Sequence, residues 1–321
     1  MPTTKKPEYL LKRQFRFGIG EWYGRAFTSL NPEERKELAD LQFYKGRKTA
    51  LPCPFRSTAA QQVECKKVGG VCSLRLYERS SSTGEVKGAG GEAGELRAIC
   101  PLRFEQAGLI YRWVGERVLE CVEPLVLREI KFLESPPSED DETPSDVGRI
   151  DKVLVVPDTK PLSWCALEVQ AVYFQGRAMR FDFDVIRNHK GSTLPFPAVH
   201  RRPDDRSSGP KRLMPQLQIK VPSLRRWGKK MAVVVDRGFF NAMGRMRSVP
   251  HISNCDVAWF VVKFERSGDA YRLALDDVQY TTLEDSVEGL TAGVAVSLEV
   301  FEQRILSKLR RFPRPPKITP D

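Results

Sequence analysis

The segment from Gly148 to Phe174 constrains this chain more than any other, because it writes polar residues into what is otherwise an apolar hairpin. Lys152 to Val156 is mostly β-branched and apolar, Pro157-Asp158-Thr159-Lys160-Pro161 is rich in turn formers, and Leu162 to Phe174 is apolar again. That order predicts strand, short loop, strand. A loop centred on Thr159 pairs Asp151 with residue 167, one position from Glu168. Glu168 and Gln170 are two apart and share a strand face. Burying such groups costs about a few kcal/mol each unless something is bound there. A divalent cation is the natural occupant, since carboxylate oxygens suit Mg²⁺. The alternative is a hairpin whose polar residues face water. Trp164 and Ala166 before Glu168, and Val172 and Phe174 after Gln170, count against it, because a solvated face carries Lys, Thr or Glu throughout.

Charge gives the second constraint. The 321 residues carry a net +11, and from Gln175 to Lys230 there are fourteen Lys and Arg against four Asp and Glu, a net +10. Nearly the whole imbalance therefore follows directly on the acidic trio. A concentrated basic field implies a polyanion partner, and an acidic metal site inside basic surroundings suits phosphodiester chemistry on nucleic acid. The length predicts two domains. No apolar run approaches the roughly 20 residues of a membrane helix, so no membrane is expected. Met-Pro-Thr-Thr-Lys-Lys opens the sequence with no apolar stretch behind it, which points to a cytoplasmic protein. Seven cysteines in that compartment read as metal ligands or free thiols.

Four of them, Cys53, Cys65, Cys72 and Cys100, fall between Pro52 and Pro101, a segment whose stretch from Arg79 to Gly94 is Ser/Gly-rich and reads as a flexible loop. So short and loop-rich a segment has little core, and a metal cross-link would supply the missing stability. Four thiols suit a closed tetrahedral site for zinc or iron, although the spacing is not the paired C-x₂-C of a zinc ribbon. Cys121, Cys165 and Cys255 lie in apolar runs and read as core.

Elsewhere, Asn31, Pro32 and Glu34 start a helix that ends near Asp40. Phe15 to Gly24 forms a Gly/aromatic cluster. Residues 116–134 read as helical, broken at Pro124, with a stripe of Leu119, Val122, Val126 and Ile130; Glu129 and Glu134 would lie on its solvated face. Ser135 to Ser145 is an acidic, Pro-rich loop, and His189 to Gly209 reads as a basic loop. Met231–Val235, ending at Asp236, and Val257–Phe264 read as strands. Leu298, Ile305, Leu306 and Leu309 mark a last helix before a Pro-rich tail from Phe312.

The cysteine quartet, then Gly148-Arg149-Ile150-Asp151, then Glu168-Val169-Gln170-Ala171-Val172-Tyr173, resembles the NotI-type restriction endonucleases from about Cys53 to Phe264. The resemblance implies an α/β fold with a PD-(D/E)xK restriction-endonuclease-like core and a small N-terminal four-cysteine metal-binding domain. It implies Asp151, Glu168 and Gln170 as the active site, Cys53, Cys65, Cys72 and Cys100 as iron ligands, and a homodimer acting on a GC-rich palindrome. On that reading residues 1–50 are an N-terminal arm and short helix, 51–104 the metal-binding domain, 105–290 the nuclease core with a basic DNA-binding segment at 175–230, and 291–321 a C-terminal helix and tail. Two departures stand out. The wider superfamily places Lys where Gln170 stands; Gln carries no charge and is better suited to orienting the attacking water. The gap from Asp151 to Glu168 is also long.

The expected function is that of a type II restriction endonuclease hydrolysing double-stranded DNA, with Asp151 and Glu168 holding Mg²⁺ and iron, or alternatively zinc, on the four thiols. Arg177, Arg201, Arg202, Arg206, Lys211 and Arg212 are the candidate DNA contacts, and the loop from His189 to Arg212 is expected to read sequence, since Arg is the usual bidentate partner of guanine. Two other classes fit the same residues: a non-catalytic metal-containing DNA-binding protein, and a repair or defence nuclease without strict specificity.

Overall fold

The computed structural model describes residues 13–43, 51–134, 146–291 and 296–309. The acidic loop 135–145, the tail from Phe312 and the first twelve residues lie outside the described residues. The strands are β1 (Arg13–Trp22), β2 (Arg25–Ala26), β3 (Val71–Ser80), β4 (Val86–Gly88), β5 (Arg97–Ala98), β6 (Leu125–Glu134), β7 (Asp146–Val156), β8 (Ser163–Gln170), β9 (Phe174–Gln175), β10 (Arg202–Pro203), β11 (Met231–Asp236), β12 (Val257–Ser267) and β13 (Ala270–Thr281). The α-helices are α1 (Pro32–Leu41), α2 (Leu109–Val114), α3 (Arg180–Asn188), α4 (Asp205–Ser208), α5 (Met214–Arg226), α6 (Arg237–Ala242), α7 (Leu283–Thr291) and α8 (Leu298–Leu309).

One mixed sheet runs β4-β3-β1-β2-β13-β12-β11-β8-β7-β6, with β5 also paired to β3. β11 is parallel to both β8 and β12, and the remaining neighbours are antiparallel. All six residues of β11 are buried, as an unbroken apolar run demands when both faces are covered. On one face, Leu213, Leu217, Val221 and Leu224 pack with Val153, Val155, Ala166, Val233 and Val235. On the other, Phe104, Ile110 and Val114 pack with Leu154, Cys165, Leu167, Ala232, Val234 and Phe260. The odd positions of β7 and the even positions of β8 therefore share the face that α5 covers, and this assigns Asp151, Glu168 and Gln170 to that face.

Several local expectations meet their structural counterparts here. Asn31 closes a capping box with Glu34 at the start of α1, and α8 spans the expected C-terminal helix. Cys165 and Cys255 are buried. β4 occupies part of the Ser/Gly-rich stretch expected to be loop. Segment 51–104 also lends β3 to the main sheet, paired with β1 from Arg13↔Ser80 to Trp22↔Val71.

Residues 116–134 depart from expectation. A π-type turn spans Gly115–Leu119, and Leu125–Glu134 is an edge strand paired with β7. The run Leu-Val-Leu-Arg-Glu-Ile satisfies a helical and an extended period at once, and Pro124 closes off the helix before it. Glu129, with its side chain exposed, pairs with Arg149 at 3.7 Å. The stretch after Gly176, partly read as loop, holds α3, α4 and α5; Pro215 sits at the helix start, where a missing N–H costs nothing.

Candidate active site and nucleic-acid cleft

The β7–β8 hairpin runs in register from Lys152↔Leu167 to Val156↔Ser163. Continued by one residue, that register sets Asp151 opposite Glu168, half a residue from the loop centre expected at Thr159. Thr159 fixes the turn: its hydroxyl donates to Val156 O at 2.9 Å and accepts from Ser163 N at 2.7 Å. Glu168 is buried, whereas the Asp151 side chain is about half exposed. Gln170 donates its amide to Ala171 O at 2.5 Å. Burial pushes the Glu168 carboxyl above its ordinary range; the Lys220 ammonium pulls it back and the neighbouring Asp151 pushes it further up.

Lys220 is the residue that sequence reasoning missed. Its ammonium donates to Glu168 Oε2 at 2.9 Å and lies 3.7 Å from Asp151 Oδ1, with its side chain 3 % exposed. The signal was present in the chain. Leu217, Lys220, Val221 and Leu224 are spaced i, i+3, i+4, i+7, which places a lysine inside the apolar stripe of α5.

The trio lines a cleft of about 760 Å³ that also meets Lys67, Tyr173, Arg177, Arg201, Lys211, Arg212 and Gln216. Short ties hold the end of β8 against the neighbouring elements. Val172 N donates to Ala98 O at 2.8 Å, and Tyr173 N to Ser208 Oγ at 2.9 Å. The Arg212 guanidinium stacks 3.5 Å from the Tyr173 ring centre. An acidic floor between cationic, aromatic walls is the charge pattern that suits a phosphodiester backbone.

The expected DNA contacts do not behave as one set. Arg177, Arg202, Arg206, Lys211 and Arg212 are exposed. Arg201 is corrected: it is buried, paired with Asp182, and donates to Arg177 O at 3.1 Å and Ala178 O at 3.0 Å. It fastens the turn after β9 to α3 and is not available to a base edge. The loop 189–201 is likewise anchored, since Arg16 Nη1 donates to Pro197 O at 2.9 Å and to Ala198 O at 3.0 Å.

Beside the cleft, which Lys67, Ile99 and Pro101 also line, Cys53, Cys72 and Cys100 are buried and Cys65 is partly so. A short antiparallel clip brings two of these segments together, with Cys53 N donating to Val63 O at 2.6 Å and Cys65 N to Leu51 O at 2.9 Å. Gly70, at φ +66°, allows the close approach of the Tyr23 ring next to Cys72. Burial raises the Cys65 and Cys100 thiols, and the charge of Cys53 acts on both. The four cysteines thus occupy one neighbourhood. Among the described residues, however, no group of three or more His, Cys, Asp or Glu side chains is arranged to hold a metal ion, so the expected four-thiol cluster is not assembled here.

An α/β sheet presenting two carboxylates and an amide to a basic cleft is consistent with a nuclease-like core. Residues 37–275 match the family of restriction endonuclease NotI, and the chain belongs to that family. It is accordingly a type II restriction endonuclease, a site-specific deoxyribonuclease acting on double-stranded DNA, which removes the non-catalytic and non-specific alternatives. No curated protein matches the chain. No helix among the described residues is long and apolar enough to cross a membrane.

Arg201→Ala is expected to act on stability and not on sequence preference. Removing one partner of a buried ion pair costs about 3–5 kcal/mol, readable by denaturant unfolding. Unchanged stability with an altered cleavage sequence would show that Arg201 reads DNA after all.

Proposed function

We propose that Asp151 and Glu168 hold one or two Mg²⁺ ions, that Gln170 orients the attacking water, and that a homodimer cuts duplex DNA at a GC-rich palindrome. The observation that carries this reading is the register placing Asp151 opposite a buried Glu168 in a cation-walled cleft. The donor set fits the ion, because Mg²⁺ takes one or two carboxylates and completes its shell with water and substrate phosphate. When bound, such an ion neutralises phosphate charge and acidifies water beside it. In the reaction, a water oxygen bonds to phosphorus and one P–O ester bond breaks. The water loses a proton to solvent and the departing oxygen gains one. Gln170 has already spent an amide hydrogen on Ala171 O, and its side-chain oxygen is the acceptor suited to a water.

Arg177, Arg202, Arg206, Lys211 and Arg212 serve as the DNA contacts on this reading, some on phosphate and some on guanine O6 and N7. Arg201 holds the segment that presents them. Glu168→Ala is expected to abolish cleavage while leaving salt-sensitive DNA binding largely intact, because the cationic walls supply the phosphate affinity. A gel-shift titration beside a cleavage assay checks this, and normal cleavage by the variant would sink the assignment.

Segment 51–104 acts, on this proposal, as a metal-binding module beside a nuclease core at 105–290, with Cys53, Cys65, Cys72 and Cys100 holding iron or, alternatively, zinc. Four largely buried thiols in one neighbourhood support it, and metal binding would draw them into a tetrahedron with release of their protons. Elemental analysis should find about one metal atom per chain, with visible charge-transfer absorbance if it is iron. Cys72→Ser should lose the metal and lower the melting temperature; full occupancy in that variant would rule out this ligand set.

The partner for dimerisation is a second copy of this chain docking through α8. Every residue of α8 is exposed, including an apolar set of Leu298, Phe301, Ile305, Leu306 and Leu309. Its first half carries Glu299 and Glu302, its second Arg304 and Lys308. An antiparallel two-fold pairing therefore sets Glu299 against Lys308 and Phe301 against Leu306, as an isologous interface requires. Glu299→Lys should weaken the dimer by about tenfold, because it turns two opposite-charge contacts into like-charge ones. Adding Lys308→Glu should restore it, as sedimentation would record. A dimer indifferent to both changes would place the interface elsewhere.

A further inference from the structure

We propose that Lys220 is a catalytic residue: its ammonium, delivered by α5 from outside the hairpin, contacts the phosphate under attack and neutralises the charge that develops on it. The inference rests on Asp151 and Glu168 being the active site. Three observations carry it. Lys220 lies 2.9 Å from Glu168 Oε2 and 3.7 Å from Asp151 Oδ1, so it bridges the two carboxylates. A phosphate that must approach both carboxylates also meets the group that spans them. Gln170, the third member of the trio, is neutral, and Lys152 of the hairpin is engaged with Glu105 at 3.5 Å.

The position of Lys220 on α5 is the third observation. A solvent-facing lysine would hold its charge in water, yet this one sits within the packed stripe of Leu217, Val221 and Leu224. Burying an ammonium there is costly, and replacing a buried ion pair by apolar residues is often neutral or stabilising. Stability therefore gives no reason for burying a lysine and a carboxylate together at this position. The cleft does, because Pro215 and Gln216 of the same helix line it one turn away. One ammonium hydrogen is given to Glu168 and Asp151 lies at ion-pair distance, which leaves donor capacity for a phosphate oxygen. A fixed ammonium in a partly dry site stabilises developing charge without reorganising during the step.

The test compares Lys220→Met with Glu168→Ala and the unmodified enzyme. Single-turnover cleavage is followed with Mg²⁺, and DNA affinity and melting temperature are measured separately with Ca²⁺ present. Lys220→Met should slow cleavage by about 10²–10³-fold, the loss typical of removing one charge-stabilising donor. DNA affinity should stay unchanged, and the melting temperature should fall, because Glu168 is left buried without its partner. Lys220→Ala leaves room for a small amine, and methylammonium should restore part of its rate while the same concentration of KCl does not. A Lys220→Met enzyme that cuts at the normal rate overturns the proposal. So does a parallel loss of rate and affinity with no amine rescue, the signature of a purely structural lysine. Normal cleavage by Glu168→Ala would overturn the active-site reading beneath it. An inactive Glu168→Ala beside a fully active Lys220→Met would overturn the role of Lys220 alone.

Discussion

A carboxylate that is only 8 % exposed on a sheet face has to be compensated, and the compensation of Glu168 organises the rest of this molecule. Its partner, Lys220, comes from α5, which must therefore lie flat on the strands that carry Val153, Ala166 and Val233. The parallel pairing of β8 with β11 creates the need for a long crossover, and α5 fills it. Helix, hairpin and central strand are thus fixed relative to one another by apolar packing, with one polar contact at the open end of the face. That contact lies where the cleft begins.

The hairpin was legible because two periodic signals agreed. Alternation sorted Glu168 and Gln170 onto one face, and the Pro-Asp-Thr-Lys-Pro turn fixed the register to within a residue. The strand at 125–134 was not legible, since Val126 and Ile130 fit a helical repeat as well as an extended one, and only pairing with β7 decides between them. Lys220 escaped because charge counting treated residues 175–230 as one field. Within that field, a lysine in an apolar stripe carries different information from an arginine in a Pro-rich loop. Arg201 and Arg202 are adjacent and chemically identical, yet one is buried on Asp182 and the other exposed beside Gln175. No local pattern separates them; the position of α3 does.

Family membership gives the reaction, and the structure divides the labour of the basic segment. Part of it builds the scaffold, as with Arg201 on Asp182 and Arg225 on Asp256 and Glu284. Part of it walls the cleft, as with Arg177, Lys211 and Arg212. The arginine that stacks on Tyr173 belongs to the second group, and its restricted motion lowers the entropy lost on meeting a phosphate or a base. The cysteine neighbourhood lies along β3 and β5, distant from the acidic hairpin in the strand order, yet Lys67, Ile99 and Pro101 beside it line the same cleft. A metal there would brace the β1–β3 region and the wall of the cleft that it supplies.

The central claim is that the acidic hairpin in its basic cleft cuts duplex DNA at one sequence by a Mg²⁺-dependent reaction. Digestion of a large GC-rich DNA with the purified protein and Mg²⁺, followed by sequencing of every fragment end, tests it most directly. The account predicts discrete fragments whose ends share one GC-rich palindrome, and none when the divalent ion is chelated. Intact DNA with Mg²⁺, or ends scattered without a common sequence, would contradict it.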